Sequence, residues 1–322
     1  MFYTNLIKIT VLITQLSQAF LIPEKRGFGD AQISADSKNI TGVIYTGGEY
    51  VLNISNSTGG NTTVYAPYVN TTNVTIPELA NVTSQFNTTD SSSELTDLVI
   101  TVGKDSLERA GFYYALSFPN QTVVVTENTT KGLFVANNTN STGRGGLIVD
   151  EEGIIYSGIT YPHTVIGAVD WNGKVTYYFD PSLPTLAKVA ADYFKNNSAS
   201  TITSNLTNSS QVPIISSKSS SKKHGWLNKA AELPTIGDIT VVNVTSTKEV
   251  SEYVKNASNS SSDSWTILAS NNLTFIPPNV AGPSGSNVIG AGILSPIQAG
   301  VLASIVKAAG ASFLVPVIAA LG

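Results

Sequence analysis

Leu147-Ile148-Val149-Asp150-Glu151-Glu152-Gly153-Ile154-Ile155-Tyr156 is the stretch on which the fold is read. Two short apolar runs flank four turn-forming residues that end in glycine, the pattern of a β-hairpin. A second unit of the same kind follows. Val165–Val169 leads into Asp170-Trp171-Asn172-Gly173 and then Lys174–Phe179. Asn-Gly supplies the φ > 0 position that a tight hairpin turn needs.

Outward from these hairpins, short β-favouring runs alternate with Asn, Gly, Ser and Thr. Further strands are expected at Gly42–Tyr45, Tyr50–Ile54, Thr63–Tyr65, Leu98–Val102, Phe112–Phe118, Thr122–Thr126 and Gly132–Ala136. Many short strands broken by turn signals predict a mainly β fold: an antiparallel sheet domain, as a sandwich, barrel or solenoid-like sheet, with a few short helices. One helix is expected at Pro184–Phe194, where Leu186, Val189, Ala190 and Tyr193 share a face. The Ser/Thr/Asn-rich stretch 196–223 reads as a linker. Residues 224–277 read as a small α/β module, with strands at Ile239–Val244 and Trp265–Leu268 around a helix at Thr247–Asn256.

The two ends read as processing signals. Met1–Ala19 has one charge, Lys8, an apolar run from Ile9 to Ile13, and Ser17 and Ala19 at its end. It reads as a secretory signal peptide cleaved after Ala19. Residues 20–26 then form a short propeptide ending at Lys25-Arg26, the chain's only Lys-Arg pair, with cleavage after Arg26. The β-rich domain is expected over 27–195. At the other end, 278–287 reads as a spacer. Residues 288–322 carry a single charge, Lys307. Small residues followed by a hydrophobic end are the pattern of a GPI-attachment signal that is removed, with Ser284 and Gly290 as candidate attachment residues.

Composition bounds the chemistry. The chain has 322 residues, 18 Lys+Arg, 22 Asp+Glu, two His and no Cys. Without cysteine there are no disulfides, thiolate metal sites or thiol nucleophiles. The acidic balance speaks against nucleic acid as a partner. No metal or cofactor site is expected. Charged residues are only 12%, so solubility needs another source. Nineteen Asn-x-Ser/Thr acceptors supply one: Asn39, Asn53, Asn56, Asn61, Asn70, Asn73, Asn81, Asn87, Asn120, Asn128, Asn137, Asn140, Asn196, Asn205, Asn208, Asn243, Asn256, Asn259 and Asn272. Each N-glycan is bulky and hydrated.

Signs of catalysis are thin. Asp150, Glu151 and Glu152, with Asp170 and Asp180, are the best group of acids, and paired carboxylates are what glycoside hydrolysis requires. As hairpin tips they are ordinary turn residues. His163 reads as a hydrogen-bonded strand-entry residue. No nucleophile elbow, P-loop or dinucleotide fingerprint is present. Trp171, Trp226, Trp265 and the pairs Tyr113-Tyr114 and Tyr177-Tyr178 suit either a core or a sugar-stacking platform. Lys218, Lys222, Lys223, His224 and Lys229 form a small basic patch.

The signal through Ala19, the Lys25-Arg26 site, the acceptor-dense body and the tail from about Ser284 together resemble fungal, yeast-type, GPI-anchored cell-wall mannoproteins. The resemblance is to a class and covers the whole chain. It implies a glycosylated cell-surface or cell-wall protein with a structural or adhesive role, and as partners the GPI lipid, wall glucan, and surface glycans or other cells. It implies residence at the outer leaflet of the plasma membrane, in the wall, or both. The alternatives are a wall-glycan remodelling enzyme and the precursor of a membrane-active C-terminal peptide.

Overall fold

Thr122-Val123-Val124-Val125-Thr126 forms a strand buried on both faces, and the fold is built around it. The computed structural model describes residues 40–46, 61–65, 73–89, 95–196, 199–208, 212–216, 239–257, 265–280, 287–309, 317 and 320, all in the unit Lys38–Gly322. Twelve strands are described. They are β1 (Ile40–Tyr45), β2 (Asn61–Tyr65), β3 (Leu95–Thr101), β4 (Thr122–Thr126), β5 (Gly146–Val149), β6 (Ile154–Ser157), β7 (Val165–Val169), β8 (Val175–Tyr177), β9 (Ile214–Ser216), β10 (Ile239–Asn243), β11 (Trp265–Ala269) and β12 (Val288–Gly290). The described α-helices are α1 (Ile76–Thr89), α2 (Leu107–Ser117), α3 (Thr129–Ala136), α4 (Thr185–Asn196), α5 (Ala199–Asn208), α6 (Thr247–Ala257) and α7 (Pro296–Ala309).

Two sheets result. One has eight strands in the order β2-β1-β3-β4-β5-β6-β7-β8, the other four in the order β12-β11-β10-β9. The first five strands of the large sheet are parallel, and β5 to β8 are antiparallel. The small sheet is entirely parallel. The architecture is therefore α/β, which overturns the expected mainly antiparallel β domain. Both hairpins read from the sequence are present, but they form only one side of a parallel sheet.

The reason is visible in the core. Parallel strands need helical crossovers on both faces, so their own residues are apolar on both. Leu98, Ile100, Val123, Val125 and Ile148 pack towards α2 in one cluster. Val43, Val99, Val124, Leu147, Val149 and Ile155 pack towards α3 in another. Two segments expected as strands are these crossovers: Phe112–Phe118 lies largely in α2, and Gly132–Ala136 lies in α3. The 196–223 stretch expected as a linker holds α5 and β9.

Helix starts follow their sequences. The Thr75 amide and hydroxyl both donate to Glu78 Oε2 at 2.7 Å ahead of α1. The Thr245 amide donates to Glu249 ahead of α6, and Asn128 Oδ1 accepts from the Lys131 amide to cap α3. These are N-terminal caps and capping-box variants, each satisfying otherwise orphaned amides.

The C-terminal segment, expected from the sequence to be a removed tail, is built into the small sheet and the core of the full-length chain. Residues 288–290 are β12, hydrogen-bonded to β11. Ten of the fourteen residues of α7 are buried, among them Val301, Leu302, Ile305 and Val306. Helix α7 packs on α2, α5, β10 and β11. Each of those four side chains contributes about 1.5–3 kcal/mol by leaving water. Gly290 sits inside this core, where an added Cβ would lie 2.2 Å from Pro277 O. Cleavage at Gly290 would remove α7 and leave its buried neighbours exposed. Ser284, Ala19 and Arg26 lie outside the described residues. No helix among the described residues is long and apolar enough to cross a membrane.

Candidate functional site: the crevice at the strand ends

In an open parallel sheet, ligands bind beyond the carboxyl ends of the strands, where the strand order reverses. Here the order reverses at β1, which lies between β2 and β3. Its floor is a row of threonines. The Thr46 amide and hydroxyl both donate to Thr101 O at 2.9 Å. The Thr101 and Thr129 hydroxyls lie 3.0 Å apart, and the Thr126 hydroxyl donates to Asn128 O. All four threonines are fully buried; the Thr46 hydroxyl ties the end of β1 to that of β3, and the Thr101–Thr129 pair ties β3 to α3.

The wall on the β5 side is acidic and aromatic. Asp150 Oδ1 accepts from the Ile154 amide at 2.7 Å, and its Oδ2 accepts from Tyr156 Oη at 3.1 Å. The Tyr156 and Tyr161 rings meet edge to face at 5.0 Å. Burial, with the Asp150 charge beside it, pushes the Tyr156 phenol up to about 12. Burial also raises Tyr161, reinforced by Asp150, Glu108, Glu127 and Glu152. The Glu127 carboxyl is held above its usual range by burial, opposed by Lys104 and reinforced by Glu151, Asp150 and Glu152.

The start of α7 meets this end of the large sheet. Ser295 and Gln298 form a reciprocal capping box: the Ser295 amide donates to Gln298 Oε1, and the Gln298 amide donates to Ser295 Oγ, both at 3.2 Å. Gln298 Nε2 donates to Tyr161 O at 2.9 Å. The Ser295 hydroxyl donates to Glu108 in the first turn of α2. Burial raises the Glu108 carboxyl despite Ser295, His163 and Arg109, which all favour its charged form. Asp150, Glu108, Glu127 and Glu152 thus all act on Tyr161, with Lys104 acting on Glu127 and the exposed His163 on Glu108. Such a field disfavours anions and favours cations and neutral polar groups.

Among the residues weighed as catalytic, Asp150 and Asp170 sit in successive hairpin turns. Asp150 anchors its own turn. Asp170 Oδ1 accepts from the Asn172 and Lys174 amides, both at 2.9 Å, and anchors the next turn. No group of three or more acids or histidines placed to hold a metal occurs among the described residues. The aromatic residues divide. Tyr113 and Tyr114 are core, Trp265 and Tyr177 are partly buried, and Trp171 is 88% exposed. Trp226 and the basic patch Lys218–Lys229 lie outside the described residues.

The ten glycan acceptors whose side chains are described lie at least partly at the surface. Asn73, Asn120, Asn137, Asn140, Asn205, Asn208 and Asn272 are exposed, and Asn81, Asn128 and Asn243 are partly so. For Asn61, Asn87, Asn196 and Asn256 only the backbone is described. Asn39, Asn53, Asn56, Asn70 and Asn259 lie outside the described residues.

Glu108, Ser295, Gln298 and the threonine floor escape sequence reading, because only strand order brings them together. The Ser295-x-x-Gln298 spacing was the one legible signal.

No known family profile matches the chain. Two curated proteins of the yeast Saccharomyces cerevisiae do. The "Sporulation-specific wall maturation protein" is 30% identical over 291 residues, covering 82% of this chain and 83% of that protein. "Protein YGP1" is 31% identical over 277 residues, covering 82% of this chain and 74% of its own length. The chain belongs to the family of these two yeast proteins. Among solved structures, a probable cytoplasmic L-asparaginase from Campylobacter jejuni matches with a TM-score of 0.55, at 14% identity, over 82% of this chain and 93% of that one. At that identity the likeness concerns the fold alone. It agrees with the α/β architecture of this chain.

Proposed function

We propose that this is a secreted, N-glycosylated protein of the fungal cell wall that takes part in wall maturation by binding rather than by catalysis. The observation that carries the reading is the relationship, across 82% of the chain, to a yeast wall maturation protein. Surface-exposed glycan acceptors support a passage through the secretory pathway. The binding role is supported by the strand-end hydroxyls, which are committed to the fold, and by Asp150 and Asp170, which serve their own turns. Residues 288–309 are part of the working domain in this account. The protein is held in the wall by non-covalent contacts and carries no GPI lipid at Ser284 or Gly290.

Fractionation of cells expressing the protein tests this. The protein should appear in the wall fraction and the medium, carry N-glycans, and be unaffected by a phosphatidylinositol-specific lipase. Retention in the membrane fraction until that lipase is added would overturn it.

A further inference from the structure

Acceptors are not spread evenly over this chain. None falls between Asn140 and Asn196. At the chain's average density about three would fall in a gap of 55 residues. A second long gap, after Asn272, has an ordinary cause: β12 and most of α7 are buried. The 141–195 gap has no such cause, because it contains the antiparallel side of the large sheet and much of that side faces solvent.

The same stretch carries exposed large apolar residues. Trp171 stands at the β7–β8 turn with 88% of its surface exposed, and Tyr178 and Phe179 follow β8 at 55% and 63%. Lys174, Thr176 and Tyr178 are all exposed along β8. At about 3.3 Å per residue, Lys174 and Tyr178 stand about 13 Å apart. Trp171 stands in the turn just before Lys174. The surface has no basic excess: its exposed charges are Asp170, Lys174 and Asp180. The turn is rigid. Gly173 takes φ 82°, and the Asp170 carboxylate holds two of its amides.

We infer that this glycan-free, aromatic-tipped edge of β8 is a contact surface for a neutral linear polysaccharide of the wall, stacked on Trp171 at one end and Tyr178 at the other. The inference rests on the wall-binding reading above and supplies its partner. Charge decides between polysaccharide classes: a surface with no basic excess suits a neutral glucan, whereas a phosphorylated mannan would need a basic one. Length decides against pairing with a second copy, because β8 offers three residues to an incoming strand and an edge so short is a poor template. Flat aromatic faces with polar neighbours suit sugar rings, which present one apolar face and a rim of hydroxyls. An N-glycan on this edge would cover it, which accounts for the missing acceptors.

The test uses the glycosylated full-length protein and a soluble linear β-1,3-glucan. Wild type should bind, with a change in tryptophan emission. Trp171→Ala and Tyr178→Ala should each weaken binding tenfold or more and leave the melting temperature unchanged. Lys174→Asn completes an Asn-Val-Thr acceptor with Thr176 and should abolish binding when the new glycan is attached, with binding restored by its enzymatic removal. Glucan binding that survives all three changes would overturn the inference while leaving a wall-binding role intact. So would a wall-resident protein with no affinity for the glucan. A dimer that Trp171→Ala dissociates would also overturn it, assigning the edge to self-association. Failure of the wall-binding reading itself shows separately, as lipase-sensitive membrane retention.

Discussion

Gly290→Ala separates the two accounts of the C-terminal segment, because they predict opposite results. At an attachment residue for a GPI lipid only small side chains are needed, and alanine is as acceptable as glycine. In the fold, Gly290 ends β12 with its Cα against the backbone of the preceding loop. An alanine Cβ would lie 2.2 Å from Pro277 O and 2.4 Å from Ile276 O. Both are backbone atoms, tied down by the Gly290 amide bond to Pro278 O and the paired bonds between Ile276 and Gly292. A flexible side chain cannot swing away to relieve the contact, so the strand must shift. Overpacking of a tight core costs about 1–3 kcal/mol, and a backbone clash belongs at the upper end. A loss of about 3 kcal/mol is a sizeable part of a typical total stability of about 5–15 kcal/mol. It should lower the melting temperature by about 6–12 °C. The control lies in the next helix: at Gly300 an added Cβ would meet only the end of the Ile214 side chain, at 3.1 Å. There the helix propensity gained, about 1 kcal/mol, offsets the adjustment. Gly300→Ala should therefore melt within a degree or two of wild type. Thermal unfolding followed by circular dichroism reads both. An unchanged melting temperature for Gly290→Ala would refute the packing argument.

Three further outcomes follow from single residues. Burial holds the Glu108 carboxyl above its usual 4.5, so its protonated form stabilises the fold below that value and this contribution is lost as pH rises through the raised one. Glu108→Gln still accepts from Ser295 and should raise the melting temperature at neutral pH but not at about pH 4; an equal effect at both would contradict the shift. Arg144 is buried, donates to Asn140 O and Phe179 O at 2.7 Å each, and lies 3.8 Å over the Tyr177 ring. Arg144→Lys cannot keep that fork and should cost about 2 kcal/mol in denaturant unfolding. Asn128 is both an acceptor and the cap of α3. Asn128→Asp should remove a glycan without loss of stability, whereas Asn128→Ala should cost about 1 kcal/mol as well.

Much of the local structure was legible and the class was not. Strand positions at β1 to β8, β10 and β11, and the helices α4 and α6, follow from apolar runs and periodicity. The class was missed because two crossover helices look like strands: Phe112–Phe118 is aromatic and Gly132–Ala136 is short and apolar. A better signal was present. Thr122–Thr126 and Leu98–Val99–Ile100 are apolar without alternation, which marks strands buried on both faces and hence a parallel sheet. Leu107, Ala110, Gly111 and Tyr114 also fall at helical spacing. The C-terminal segment reads two ways for a related reason. A core helix buried on nearly every side is apolar all round, and sequence alone does not tell that from a hydrophobic tail. The site was only partly legible. The Asp150–Glu152 group and the exposed Trp171 stand out in the sequence. Glu108 and Ser295 meet across 187 positions, and no local pattern reports a contact made by sheet order.

The central claim is that Val288–Ala309 remains in the mature protein as structure. Mass spectrometry of the secreted, deglycosylated protein tests it most directly. The account predicts recovery of peptides spanning Ser295–Lys307 at the same yield as peptides from the large sheet. A mature chain ending at Ser284 or Gly290 with a GPI remnant on its carboxyl group would contradict it.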